Sequence, residues 1–284
     1  MRALPNGQAT APPAPSRLLP LDRIVAKFSL VLDPTKRFSS RVENYVKYRP
    51  TYPPEIIPLL ESVCGLTPAS IIADVGSGTG FLTELFLKND NQVYGIEPNP
   101  EMRAAGEKIL ARYSQFTSVD AVAEATTLPD HSVDFIVVGQ AFHWFDRAKT
   151  REEFVRLLKR DGWVVVAWNG YRVKSSPLMA AYQDLVVRYG TDYSEVQREV
   201  EDCDVESFCD PAICTCTRFE FQQSFDYQGL KGRLLSASYA LEPDHPDYEA
   251  MLRELRKIFD ANQQDGKVVF AYETVLYYGH LPAR

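Results

Sequence analysis

The residues richest in chemical possibility lie at Asp74-Val75-Gly76-Ser77-Gly78-Thr79-Gly80. Glycine lets a backbone turn sharply and approach a ligand closely. A helix beginning behind such a loop offers free N–H groups and the positive end of its dipole. A phosphate-binding P-loop would close on Gly-Lys-Ser/Thr, and no Lys stands here. A dinucleotide fingerprint would need Gly at position 81, where the chain has Phe81. Asp74 falls at the carboxyl end of an apolar run, where open α/β sheets bind ligands, and can meet a ligand amine directly or through water. Glu97 closes the next apolar run, 17 residues after Gly80. A carboxylate there is placed to accept both hydroxyls of a ribose, although a solvated strand-end acid reads the same way.

Other groups have chemical meaning with a plainer reading beside it. His143 sits in Phe142-His143-Trp144-Phe145. It is a candidate base or acceptor contact, or an orienting hydrogen bond inside an aromatic cluster. Trp144 walls a pocket or belongs to the core. Arg233, Ser236, Ser238 and Tyr239 would suit a carboxylate or polar acceptor if Arg233 shares a helical face with the hydroxyls. Otherwise they cap a helix beside a solvated arginine. Cys203, Cys209, Cys214 and Cys216 crowd together without a C-x-x-C pair or a nearby His. That spacing favours ordinary thiols over zinc, and no metal is expected.

Hydrophobic patterning supplies the elements that position these groups. Ser70–Val75, Gln92–Glu97, Phe116–Val122, Val133–Val138 and Trp163–Trp168 read as strands. Helices alternate with them over Thr79–Lys88, from Asn99 and Pro100 through Tyr113, and over Arg147–Lys159. Short apolar strands alternating with helices predict a parallel sheet covered on both faces. Beyond Asn169 the spacing predicts helices from Ser176 to Tyr189, over Tyr193–Val200 and around Tyr248–Phe259, with strands over Thr215–Tyr227 and Lys267–Tyr278.

With these motifs the chain resembles class I S-adenosylmethionine-dependent methyltransferases, and within them the trans-aconitate methyltransferase-like small-molecule group. ADVGSGTG at 73–80, YGIEPN at 94–99, AEATTLPDHSVDF at 123–135, QAFHWFD at 140–146 and WVVVAWN at 163–169 carry the resemblance. YVKYRPTYP at 45–53, SASYALEP at 236–243 and GKVVFAYETVLYYGHL at 266–281 extend it. It implies a Rossmann-like α/β sheet of seven strands, mostly parallel with the last antiparallel, plus a helical cap. It also implies S-adenosylmethionine as cofactor. The methionine part would lie over Asp74, Gly76, Ser77, Gly78 and Gly80, with Glu97 on the ribose. Pro98, Met102, Ala123 and Glu124 would surround the adenine, and Gln140 and Ala141 would flank the sulfonium. Val122 stands where many relatives carry a polar residue. Tyr45, Arg49 and Tyr52 match a lid over the cofactor or acceptor, with Tyr45 a second catalytic candidate; surface packing of Arg on Tyr is the plainer alternative.

Composition bounds the rest. The 284 residues carry 31 basic and 38 acidic side chains, a net charge of −7, which disfavours nucleic-acid partners. No run approaches the ~18 apolar residues of a membrane span. An odd count of five Cys argues against a disulfide framework, so a cytoplasmic protein is expected. The expected organisation is a loose arm at 1–21, lid helices at 22–65, a cofactor core at 66–170, a helical cap with the sixth strand at 171–265, and a final strand at 266–284. The expected function is methyl transfer to a small-molecule acceptor, on a carboxylate or hydroxyl oxygen. A methyltransferase of a macromolecule and a non-catalytic binder of the same cofactor are the alternatives. The resemblance suggests a carboxylic acid; the oligomeric state is not readable.

Overall fold

A computed structural model of the chain describes residues 41–193, 205–209 and 214–281. The expected arm, the first part of the lid segment, most of the helix at 193–200 and Cys203 lie outside the described residues. Seven strands form one sheet in the order β3-β2-β1-β4-β5-β7-β6. They are β1 Ile71–Val75, β2 Gln92–Ile96, β3 Phe116–Val119, β4 Val133–Gly139, β5 Leu158–Tyr171, β6 Cys214–Phe225 and β7 Val268–His280. The first five pair in parallel. β7 runs antiparallel between β5 and β6. The sheet therefore has the expected Rossmann-like form with an inserted antiparallel last strand.

Burial on both faces explains the near-continuous apolar runs. In β4, Ile136 and Val138 pack in one cluster, while Phe135 and Val137 pack in the cluster on the other face. The helices are α1 Val42–Tyr48, α2 Ile56–Cys64, α3 Phe81–Leu87, α4 Pro100–Leu110, α5 Arg147–Leu157, α6 Pro177–Tyr189, α7 Val205–Cys209, α8 Tyr227–Leu235 and α9 Tyr248–Asn262. Capping sets several of their starts. Asn99 accepts from the Met102 N–H, Asp146 from Lys149, Ser176 from Met179 and Asp226 from Gly229.

Several boundaries differ from the sequence expectation. α3 starts two residues later than Thr79 because Thr79 and Gly80 belong to the loop, with Gly80 at φ 89°. α5 ends at Leu157 because Leu158 already pairs with Val133. β5 is much longer than Trp163–Trp168, since β7 pairs with it as far as Tyr171. The cap helices α6, α8 and α9 share a separate core with the outer ends of β6 and β7, built around Tyr182, Leu230, Leu255 and Phe270.

α1 crosses onto the cap rather than the sheet. Arg41 donates to the Ala237 and Ala240 carbonyls and to Glu242, and Arg49 donates to the Ser236 carbonyl at 3.2 Å. The Tyr48 ring covers Gly232 of α8 so closely that a Cβ there would overlap it. A mid-helix Gly→Ala change ordinarily stabilises by about 0.5–1 kcal/mol. Here Gly232→Ala is expected to destabilise by about 1–3 kcal/mol through overpacking, read by urea unfolding. Adding Tyr48→Ala should restore most of the loss.

Candidate functional site

The glycine loop is shaped by backbone conformation. Gly76, Gly78 and Gly80 have φ of 72°, 58° and 89°, a region that costs other L-residues about 1–2 kcal/mol. The Gly76 and Ser77 N–H groups both donate to the Ile96 carbonyl, at 2.9 and 3.0 Å. Close approach adds a second reason for glycine. A Cβ on Gly76 would stand 2.5 Å from that of Ala141, and one on Gly80 would stand 2.5 Å from Leu110 Cδ1. Gly80 is thus a packing glycine, and it lines neither of the two cavities described below.

Glu97 holds this loop. One carboxylate oxygen accepts from the Gly78 N–H at 2.9 Å and the other from the Asn99 N–H at 2.8 Å. Burial pushes its pKa up against those two bonds and the nearby Arg103. Asp74 is fully buried. Its Oδ2 accepts from the Thr83 hydroxyl at 2.6 Å, while its Oδ1 has no partner. Desolvation raises its carboxyl to about 7 despite the Thr83 hydrogen bonds.

A cavity of about 700 Å³ opens over the carboxyl ends of the parallel strands. Gly76, Gly78, Glu97, Pro98 and Met102 line it from the first two strand ends, with Ala123 and Glu124 beside them. Gln140, Ala141, His143 and Trp144 line it from the fourth. Tyr45 and Arg49 face it from α1, and Arg233, Ser238 and Tyr239 from the cap. A smaller recess alongside is lined by Asp74, Ser77, Tyr52, Tyr45 and Arg49. The structure therefore gathers nearly all of the candidates from six separated sequence segments.

Ser236, like Gly80, is an exception. It is fully buried, its hydroxyl donates to the Arg233 carbonyl at 2.7 Å, and it lines neither cavity. Because α8 ends at Leu235, Arg233 shares no helical face with the hydroxyls that follow. Ser236 serves instead through its carbonyl, which holds Arg49.

Gln140 sits at the end of β4 with φ 60°, an uncommon conformation for a side-chain-bearing residue. Two hydrogen bonds hold it there, from its N–H to the Ala167 carbonyl at 3.1 Å and from its Nε2 to the Asn169 carbonyl at 2.7 Å. His143 and Trp144 lie on a single 3-10 turn, their rings 4.3 Å apart. The His143 ring also stands 6.2 Å from Trp168. Tyr45 stacks on Phe81 at 5.9 Å, and the Arg49 guanidinium lies 5.3 Å from the Tyr45 ring.

Sequence reasoning missed Trp168, Tyr171, Val173, Gln183, Tyr193 and Val275, all on the cavity wall. Their signal was weak, because Trp168, Tyr171 and Val275 read as ordinary strand residues and Val173, Gln183 and Tyr193 lie on or beside a cap helix with no motif around them. Of the cysteines, Cys209 and Cys214 meet, and the Cys214 thiol lowers that of Cys209 by hydrogen bonding. Among the described residues no group of three metal-ligating side chains forms, and no helix is long and apolar enough to cross a membrane.

Residues 73–166 match the methyltransferase domain family. The matched segment runs from Ala73 in β1 to Val166 in β5, and a methyltransferase domain implies S-adenosylmethionine as cofactor. An uncharacterized methyltransferase of Mycobacterium tuberculosis is 35% identical over 137 residues, 48% of this chain and 54% of that protein. An uncharacterized methyltransferase-like protein of Schizosaccharomyces pombe is 30% identical over 161 residues, 55% of this chain and 60% of that protein. The chain spans about half the length of the first of these relatives. A solved structure from Anaeromyxobacter dehalogenans, named for a type II methyltransferase, shares the fold with a TM-score of 0.63 at 19% identity. It aligns over 84% of this chain and 100% of its own.

Asp74 gives the fold a measurable pH dependence. A carboxyl with a raised pKa in the fold stabilises it fully below the unfolded value of about 4. That contribution is lost as pH rises through about 7. Unfolding free energy measured in denaturant across this window should therefore fall with pH, and Asp74→Asn should flatten the slope.

Proposed function

We propose that the chain is an S-adenosylmethionine-dependent methyltransferase of a small-molecule acceptor, transferring methyl to a carboxylate or hydroxyl oxygen. The observation that carries this reading is the single cavity running from the glycine loop and Glu97, past His143 and Trp168, to Arg233 in the cap. Its acceptor end lies between the core, the cap and α1, which favours a small molecule over a macromolecule.

The residues present fit the cofactor. Each Glu97 oxygen accepts one backbone N–H and keeps a further lone pair, so the carboxylate can still receive two ribose hydroxyls. The unpartnered Asp74 Oδ1 is an acceptor for an ammonium group. Met102 stands under the adenine position, its Cε 3.3 Å from where a Cβ on Gly78 would be. When bound, S-adenosylmethionine supplies an electrophilic methyl group on a positively charged sulfur.

The protein's part is alignment and exclusion of water. Gln140 and Ala141 wall the reacting end, with Gln140 fixed by its two bonds to β5. Tyr45, Arg49 and Tyr52 close over the loop, tied to the cap through the Ser236 carbonyl. An ionised carboxylate acceptor needs no base, whereas a hydroxyl acceptor would pass its proton to His143.

Glu97→Ala should weaken S-adenosylmethionine binding by about 1–3 kcal/mol in calorimetric titration. Unchanged affinity would remove Glu97 from the ribose. His143→Ala should lower kcat less than about tenfold with a carboxylate acceptor, and about 100-fold or more with a hydroxyl acceptor. An incubation with labelled methyl donor, followed by alkaline treatment of the product, assigns the oxygen independently, because a methyl ester is hydrolysed and a methyl ether is not.

A further inference from the structure

Arg233 is 3% exposed and lines the cap end of the cavity. Its Nε donates to the Tyr272 hydroxyl at 2.9 Å, whereas its Nη1 is buried without a partner. The rings of Phe270 and Tyr272 lie 5.7 and 5.8 Å from the guanidinium. It has no ion-pair partner among the described residues. The carboxylates on the cavity wall, Glu97 and Glu124, are held elsewhere, on the glycine loop and on the Asp146 N–H. A buried guanidinium with an idle donor is costly unless an anion completes it.

The surroundings restrict what that anion is attached to. Tyr171, Tyr193 and Tyr239 form the wall on this side, with Tyr193 and Tyr239 packed edge to face at 4.9 Å. The Tyr171 and Tyr193 hydroxyls are both spent on the Gln183 Oε1, at 2.7 and 2.9 Å. They therefore offer rings to the cavity more than free hydroxyls. Trp168 and Val173 continue the apolar surface. Among the described residues, Arg49 is the one other arginine or lysine on the cavity wall. It also faces the recess with Asp74 and the glycine loop; its Nη2 is committed to the Ser236 carbonyl, while its Nε is buried without a partner.

We infer that the acceptor is a monoanionic acid with an apolar, ring-sized body. Arg233 holds its acid group, and the tyrosine wall selects its body. Arg49, which also lines the glycine-loop recess, is assigned to the cofactor's carboxylate, so Arg233 is the guanidinium left for the acceptor, and a polycarboxylate would leave its further charges desolvated and unpaired among the aromatic rings. The inference rests on the acceptor end of the cavity assigned above, and it makes Arg233 a specificity-determining residue.

Trp144 and Trp168 both face the cavity, so tryptophan fluorescence reports occupancy without requiring turnover. The full chain would be titrated with 4-phenylbutanoate, with its amide, and with propane-1,2,3-tricarboxylate, each with and without S-adenosylhomocysteine. The monoacid should bind about tenfold or more tighter than the amide, the usual worth of a charged hydrogen bond. It should also bind tighter than the tricarboxylate. Arg233→Met should erase the preference for acid over amide while the Kd for S-adenosylmethionine stays within about twofold. Should Arg233→Met melt far below the parent, Arg233→Lys serves in its place, keeping the charge without the fork and weakening the acid by about tenfold. Equal binding of acid and amide, or tighter binding of the tricarboxylate, would overturn the inference. Failure of S-adenosylmethionine to bind the parent chain would instead strike the cofactor reading, and the acid preference is scored separately from it.

Discussion

The Glu97 carboxylate is the interaction on which the ligand-facing half of the molecule depends. Its two oxygens clamp the β1–α3 loop at Gly78 and the β2–α4 turn at Asn99. Asn99 in turn caps α4 by accepting from Met102, and Arg103 of that helix donates back to the Glu97 carbonyl. One side chain thus sets the position of the glycine loop, a helix start and the Met102 side chain on the cavity wall. Removing it would leave the Gly78 and Asn99 N–H groups without these partners.

A second constraint closes the cavity. The N-terminal helix makes its polar contacts with the cap, through Arg41 and Arg49 reaching carbonyls that follow α8. These carbonyls lie past the helix end, where intrahelical partners run out, so cationic side chains satisfy them. The same loop contributes Ser238 and Tyr239 to the cavity wall. The position of α1 and the shape of the cap end of the cavity are therefore coupled through one short stretch of backbone.

Charge is distributed unevenly along the cavity. Buried acids, Asp74 and Glu97, stand at the glycine-loop end, and desolvation raises both. Arg233 stands at the cap end, and Arg49 lies near enough that the two guanidiniums repel, adding to the burial that lowers Arg49. A cationic sulfonium compound at one end and an anion at the other would satisfy both ends. In a medium of low dielectric that complementarity counts for more than it would in water.

Local sequence determined the parallel core, because apolar runs of strand length, capping residues and a glycine loop are short-range signals. It also determined Asp74 and Glu97 as residues of interest, since each falls at a strand end where this class of sheet binds ligands, and His143 just beyond such an end; Gln140 came from the family resemblance. The extent of β5, the placing of β7 between β5 and β6, and the loss of Ser236 from the site were decided by tertiary structure. Leu158 and Tyr171 are strand residues only because Val133 and Tyr272 lie opposite them. The tyrosine wall and the idle Nη1 of Arg233 were hidden for the same reason. Whether a buried guanidinium is satisfied depends on groups brought from β7, α6 and α8, and no periodicity in a single segment records which side chains from distant segments will face one another.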